Sequence, residues 1–208
     1  MKKDILKYFG ISLFVIALDQ IVKMLVHFNM EMYAAGEIKV IGNLFRLYYL
    51  TNPGMAFGIK LDFEYGKMLL SLFRIGAMFA IGYYLYTLIK TGANKGFLVT
   101  VAMILGGAIG NLIDSIFYGV WLDNAPYDAP TPWFNGQVVD MFYIDLWKGH
   151  LPNWIPIIGG DYMALWPVFN IADASIFIAI CIILIFQKRY FKKEEELVET
   201  SSTSDSDS

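Results

Sequence analysis

Residues 96–118 read GFLVTVAMILGGAIGNLIDSIFY, twenty-three positions in which Asp114 is the single charged side chain. Crossing roughly 30 Å of hydrocarbon takes about 20 helical residues, so this stretch is long and apolar enough to be a transmembrane helix. Three more stretches qualify on the same grounds: Tyr8 to Phe28, Lys67 to Ile89, and Val168 to Phe186. The whole chain agrees with that reading. Of its 208 residues 57% are hydrophobic and only 17% charged, against about 25% charged in a soluble domain. The mean hydropathy is +0.50.

Flanking charge sets the direction of the spans. Lys2, Lys3 and Lys7 precede the first, Lys90 and Lys95 lie between the second and third, and Lys188, Arg189, Lys192 and Lys193 follow the fourth. The loop 119–167 holds five Asp but only Lys148 as a cation. The excess of Lys and Arg on one side predicts that both termini and the 90–95 loop are cytoplasmic and that the two long loops face outward. The first span is not read as a signal peptide, because Asp19 and Lys23 interrupt it and it exceeds the usual apolar core of about 7–15 residues. Residues 1–190 are read as one membrane domain. The tail 191–208, ending in TSSTSDSDS, is expected to be disordered.

Other features narrow the function. A net charge of -3 argues against a nucleic-acid partner, which would need a basic patch. Cys181 stands alone in an apolar run and excludes a disulfide framework or a multi-thiolate metal site. His27 and His150 are too few and too isolated to form a metal centre and are read as interfacial residues. The segment 38–50, IKVIGNLFRLYYL, is β-branched and aromatic around a Gly42-Asn43 turn signal, which predicts short strands at the outer surface. Trp121, Trp133, Trp147, Trp154 and Trp166 give the 119–167 loop an interfacial character.

Ionisable side chains at membrane depth are costly and point to function. Here they are Asp19, Lys23, Arg74, Asp114 and Asp173. At about 1.5 Å per residue, Asp19 lies roughly 16–20 Å and Asp114 roughly 27 Å above the cytoplasmic ends of their helices, while Asp173 lies about 8 Å below the outer end of its own. All three fall in the outer half of the bilayer, and Asp140 sits in the loop returning to that level. Asp19 and Lys23 are four apart and can neutralise each other on one helical face. Gly106, Gly107 and Gly110 suit close helix packing. Asp173, preceded by Asn170, could cap its helix or do chemistry. Two carboxylates held close at low dielectric share a proton, so Asp140 against Asp173 would give an acid and a base able to activate water.

Five motifs stand in order: LDQIVK (18–23), NPGMAFG (52–58), GGAIGNLID (106–114), VVDM (138–141) and FNIAD (169–173). Together they closely resemble the lipoprotein signal peptidases, or signal peptidase II, over about Leu18 to Ile185. The resemblance implies an all-α membrane protein of four transmembrane helices, with a small β-sheet cradle and an extended loop region on the outer surface. It implies an aspartic endopeptidase of the bacterial inner membrane, needing no cofactor or metal. Such an enzyme cleaves diacylated prolipoproteins before the lipidated cysteine, and the chain is expected to act as a monomer among membrane lipid. By motif, the catalytic pair is Asp140 and Asp173. Asn52, Gly54, Asn111 and Asn170 are expected to line the substrate site, and Asp19, Lys23 and Asp114 to support it. Asn can donate and accept hydrogen bonds, which suits an extended peptide.

Two departures stand out. The family pattern has Arg after the GNxxD aspartate, where this chain has Ser115. The change would leave Asp114 short of a partner unless the outer insertions supply one, through Trp, Tyr or Asn of 119–137, with Arg46 and Arg74 as more distant candidates. The insertions 119–137 and 142–167 also flank VVDM, and Asp140 and Asp173 stand 33 positions apart. Two other readings remain open from sequence: a proton-relaying transporter or channel, and a non-catalytic scaffold. Clustering of the acids at one depth and an intact acid pair argue against them.

Overall fold

A computed structural model describes residues 1–53, 65–150, 152, 154, 160, 162–164 and 167–204, with the backbone alone at 150, 162–164 and 192–204. Four helices are long and apolar enough to cross a membrane: α1 (Lys2–Asn29), α2 (Gly66–Thr91), α3 (Lys95–Ile113) with its continuation, and α5 (Ile171–Ser204). The third is prolonged by a π-helical turn, Asp114–Tyr118, and by the short α4 (Gly119–Trp121). Outside the membrane layer, β1 (Ile38–Ile41), β2 (Phe45–Asn52) and β3 (Val138–Ile144) form an antiparallel sheet in the order β1-β2-β3. Strands β4 (Lys148–His150) and β5 (Tyr162–Ala164) make a separate two-stranded ribbon within the second insertion.

Helix α3 is the centre of the bundle, more buried than the other three spans. Its glycines make that possible. A Cβ on Gly106 would come within 2.8 Å of the Ser12 carbonyl of α1, and one on Gly107 within 2.5 Å of the Ala172 carbonyl of α5. One on Gly110 would sit 2.7 Å from Asp19 Oδ2. The stripe of small residues therefore lets two helices approach α3 on two faces. Hydroxyls add cross-links, with Ser12 Oγ donating to the Ala102 carbonyl at 2.8 Å and Ser175 Oγ to that of Met103 at 3.2 Å. Large apolar side chains on the outward faces, among them Phe14, Phe73, Phe79, Ile185 and Phe186, are exposed, as a lipid-facing surface requires.

Three details differ from the expectations. VVDM lies on strand β3, not in a loop, because Val138, Val139 and Met141 are apolar enough to bury: all three are 4% exposed or less. The fourth helix begins at Ile171, not Val168, because Phe169 first bridges to Phe142 of β3 and Asn170 then caps the helix. Asn170 Oδ1 accepts from the Asp173 N–H at 2.9 Å, and its carbonyl takes the first helical bond, from Ala174. At the other end α5 continues to Ser204, past the expected start of a disordered tail at 191. The KKEEELVE run is made of good helix formers without Gly or Pro, so nothing in it stops the helix.

The first insertion folds back onto the π turn. Ser115 Oγ donates to the Asn111 carbonyl four residues earlier at 3.0 Å, a bond type that bends helices. The Ser115 and Ile116 carbonyls accept from the Gly136 and Phe134 N–H groups. Insertion 119–137 thus satisfies backbone acceptors at the helix end.

Candidate active site

Lys23 is the hub of the buried polar cluster. Its Nζ lies 2.7 Å from Asp19 Oδ2 and 2.7 Å from Asp114 Oδ2, and all three side chains are fully buried. It also donates to Asn111 Oδ1 at 2.9 Å. The expected Asp19–Lys23 pair is therefore half of a three-charge bridge joining α1 to α3. Asp19 Oδ1 accepts from the Ala172 N–H at 2.9 Å, which ties in the start of α5. Asp114 Oδ1 accepts from Gln20 Nε2 at 2.9 Å and Oδ2 from the Val139 N–H of β3 at 3.3 Å. Asp114 is well partnered although residue 115 is Ser, and its partners Lys23, Gln20 and Val139 come from α1 and β3, not from the expected 119–137.

Because Lys is donor-only, Lys23 decides how the Asn111 amide is turned. With Oδ1 facing the ammonium, Nδ2 must point the other way, and it donates to Asp173 Oδ1 at 2.7 Å. Asn170 is oriented in the same manner. Its Oδ1 faces the Asp173 N–H, so Nδ2 donates to Asp140 Oδ1 at 2.7 Å and to Asn111 Oδ1 at 3.1 Å. Asn52 completes the set from β2. Leu50 pairs with Asp140 in the ladder, which puts Asn52 diagonally across on the same face. Its Nδ2 donates to Asp140 Oδ2 at 3.1 Å. Alternation explains why the carboxyl points here, since Val139 and Met141 turn into an apolar cluster with Val26, Tyr49 and Tyr118.

Asp140 and Asp173 are thereby linked through one side chain, Asn170, which touches both residues. Asp140 is 1% exposed, whereas Asp173, Asn111 and Asn52 are half-buried, so the pair is reached from the Asp173 side. Burial pushes the Asp140 carboxyl up to about 7, and the Asp173 charge adds to the effect against the lowering by Asn52, Lys23 and Asn170. Two carboxyl groups held close to each other at low dielectric can share one proton.

A model of signal peptidase (SPase) II matches residues 11–188, an interval that contains every residue of this cluster. The chain belongs to the signal peptidase II family. A lipoprotein signal peptidase of Amoebophilus asiaticus is 46% identical over 208 residues, covering 100% of this chain and 88% of that protein. One of Porphyromonas gingivalis is 38% identical over 188 residues, covering 84% of this chain and 79% of that protein. Two solved bacterial membrane enzymes share the fold, with TM-scores of 0.59 and 0.58 at 23% and 26% identity. They cover 88% and 86% of this chain and 88% and 90% of their own. The chain is thus a four-span membrane protein of a protease family.

The structure brings together eight of the nine residues singled out from sequence. The ninth, Gly54, lies outside the described residues. An amide nitrogen of each of Asn52, Asn111 and Asn170 is directed at the acids. Sequence reasoning missed Gln20 and Tyr118, whose hydroxyl donates to Gln20 Oε1 at 3.0 Å. Gln20 adjoins Asp19, and Tyr118 is four residues after Asp114, one turn further along the same helix. Arg46 is occupied at the sheet rim with Glu37 and Asp145. Among the described residues no group of three or more His, Cys, Asp or Glu side chains is placed to hold a metal ion.

Proposed function

We propose that Asp140 and Asp173 are the catalytic pair of an aspartic endopeptidase that removes the signal peptide from diacylglyceryl-modified prolipoproteins, cutting before the lipidated cysteine. The observation that carries this reading is the Asp140–Asn170–Asp173 linkage, buried on one side and accessible on the other, in a chain whose relatives are named lipoprotein signal peptidase. With one proton on the pair, the ionised carboxylate takes a proton from water as its oxygen attacks the scissile carbonyl carbon. The protonated partner donates to the carbonyl oxygen. Collapse of the tetrahedral species breaks the C–N bond, and the leaving nitrogen receives a proton from the pair. Asn52, Asn111 and Asn170 hold the carboxyls in register throughout.

The same reading puts both termini in the cytoplasm and the pair toward the outer face, where a lipid-anchored substrate can approach within the bilayer. The same reading takes the enzyme to act as a monomer. The test is incubation of purified protein in lipid with a diacylated and a non-lipidated prolipoprotein peptide. Cleavage before cysteine of the diacylated peptide alone, unaffected by a chelator, is expected. Equal cleavage of both would refute lipid recognition, and loss of activity with chelator restored by zinc would refute the aspartic mechanism.

A further inference from the structure

Arg74 enters none of the steps above, yet it is an arginine at membrane depth, where such a residue needs a reason. It stands on α2, on the face that also carries Lys67 and Ser71. Ser71 Oγ donates to the Phe134 carbonyl at 3.0 Å, which seats this part of α2 against the first insertion. One turn deeper, Arg74 Nη1 donates to Ser115 Oγ at 3.1 Å. Ser115 is fully buried, and its hydroxyl proton is committed to the Asn111 carbonyl at 3.0 Å. Asn111 in turn donates to Asp173. An unbroken series of contacts therefore runs from the guanidinium to the accessible acid. Arg74 also lies within electrostatic range of Asp173 and Asp114.

We propose that Arg74 is a positioning residue of this active site: seated on Ser115, its guanidinium fixes the Asn111–Asp173 edge and supplies the positive charge on that side. The proposal rests on the protease reading above. It also accounts for Ser115. A small hydroxyl there leaves room for a guanidinium arriving on α2 and accepts from it. Arg forms directed hydrogen bonds from a planar fork, whereas Lys is a point charge, so the two will not be equivalent here.

The experiment measures cleavage of a diacylated prolipoprotein peptide by wild type, Arg74→Met, Arg74→Lys, Ser115→Arg and the double variant Arg74→Ser/Ser115→Arg, with thermal unfolding as a check on folding. Arg74→Met is expected to lower kcat about tenfold or more with KM changed less than about threefold, because orientation of an acid is needed in the transition state more than for binding. Arg74→Lys should recover part of that loss. Ser115→Arg alone crowds two guanidiniums into one space and should be impaired, while the double variant, with one guanidinium relocated, should approach wild type. The loss in kcat at nearly unchanged KM in a folded protein is one a merely structural role would not give. Turnover by Arg74→Met within about twofold of wild type, or a folded double variant no better than Ser115→Arg, would overturn the assignment. A wild-type protein unable to cleave the peptide would overturn the protease reading and this role with it.

Discussion

Replacing Lys23 by Met removes the cation that lies between two fully buried carboxylates. Its ammonium lies 2.7 Å from Asp19 and 2.7 Å from Asp114, so the change leaves two like charges facing each other out of water. Removing one member of a buried ionic group costs about 3–5 kcal/mol. The remaining donors moderate this without cancelling it: Ala172 N–H still serves Asp19, and Gln20 and Val139 N–H still serve Asp114. Against a total stability of about 5–15 kcal/mol, the loss is large. A second effect reaches the acid pair, because the Asn111 amide loses the donor that turns its Nδ2 toward Asp173. The assay is reversible unfolding in mixed detergent micelles followed by helical circular dichroism, with peptide cleavage measured in parallel. Adding Asp19→Asn and Asp114→Asn to Lys23→Met removes the stranded charges and should recover part of the stability, a non-additivity expected of groups that act together. A loss below about 1 kcal/mol for Lys23→Met, or no recovery in the triple variant, would refute the buried three-charge bridge.

The acid pair also makes stability and rate depend on pH. The folded Asp140 holds its proton up to about 7, whereas the unfolded one releases it near 3.8. Its contribution to stability is therefore full below about 4 and is lost as pH rises to about 7, a change on the order of 4 kcal/mol that Asp140→Asn should abolish in a denaturation series across that window. For the same reason kcat/KM should fall on the alkaline side as pH passes about 7, where the shared proton leaves; a flat profile from 6 to 9 would contradict it. Gly107→Ala should destabilise by about 1–3 kcal/mol, since the new methyl meets the Ala172 backbone 2.5 Å away and that clash outweighs the gain in helix propensity; micellar unfolding reads this directly. A reporter placed after Lys193 or in the 90–95 loop should be cytoplasmic and one within 122–136 external, and an external C-terminus would contradict the proposed orientation.

Much of this arrangement was legible in the sequence because lipid imposes strong rules. Long apolar runs mark spans, and an acid inside one needs a partner, so the Asp19–Lys23 pair could be read before any coordinate, whereas Lys23 as a partner of Asp114 could not. The glycines at 106, 107 and 110 announced close packing for the same reason. Less legible was anything depending on tertiary pairing. Val138–Ile144 becomes a strand only because Phe45–Asn52 and Phe169 lie beside it, and the register that sets Asn52 against Asp140 is a property of the pair. The partner of Ser115 was hidden for a similar reason. Nothing in the residues around Arg74 says which way α2 is turned, and the guanidinium reaches Ser115 through the docking of α2 on Phe134. Which carboxyl each asparagine faces was likewise not legible, since it depends on how the strands and helices meet.

The central claim is that Asp140 and Asp173 act as one acid–base pair on water. Its most direct test is single-turnover cleavage of a diacylated prolipoprotein peptide by Asp140→Asn and by Asp173→Asn, with peptide affinity measured on the same preparations. An amide keeps the shape of the carboxyl but cannot exchange its proton, so each variant should bind the peptide nearly as wild type does and cleave it about a thousandfold more slowly or not at all. Cleavage by either variant within about tenfold of wild type, with binding intact, would contradict the pair.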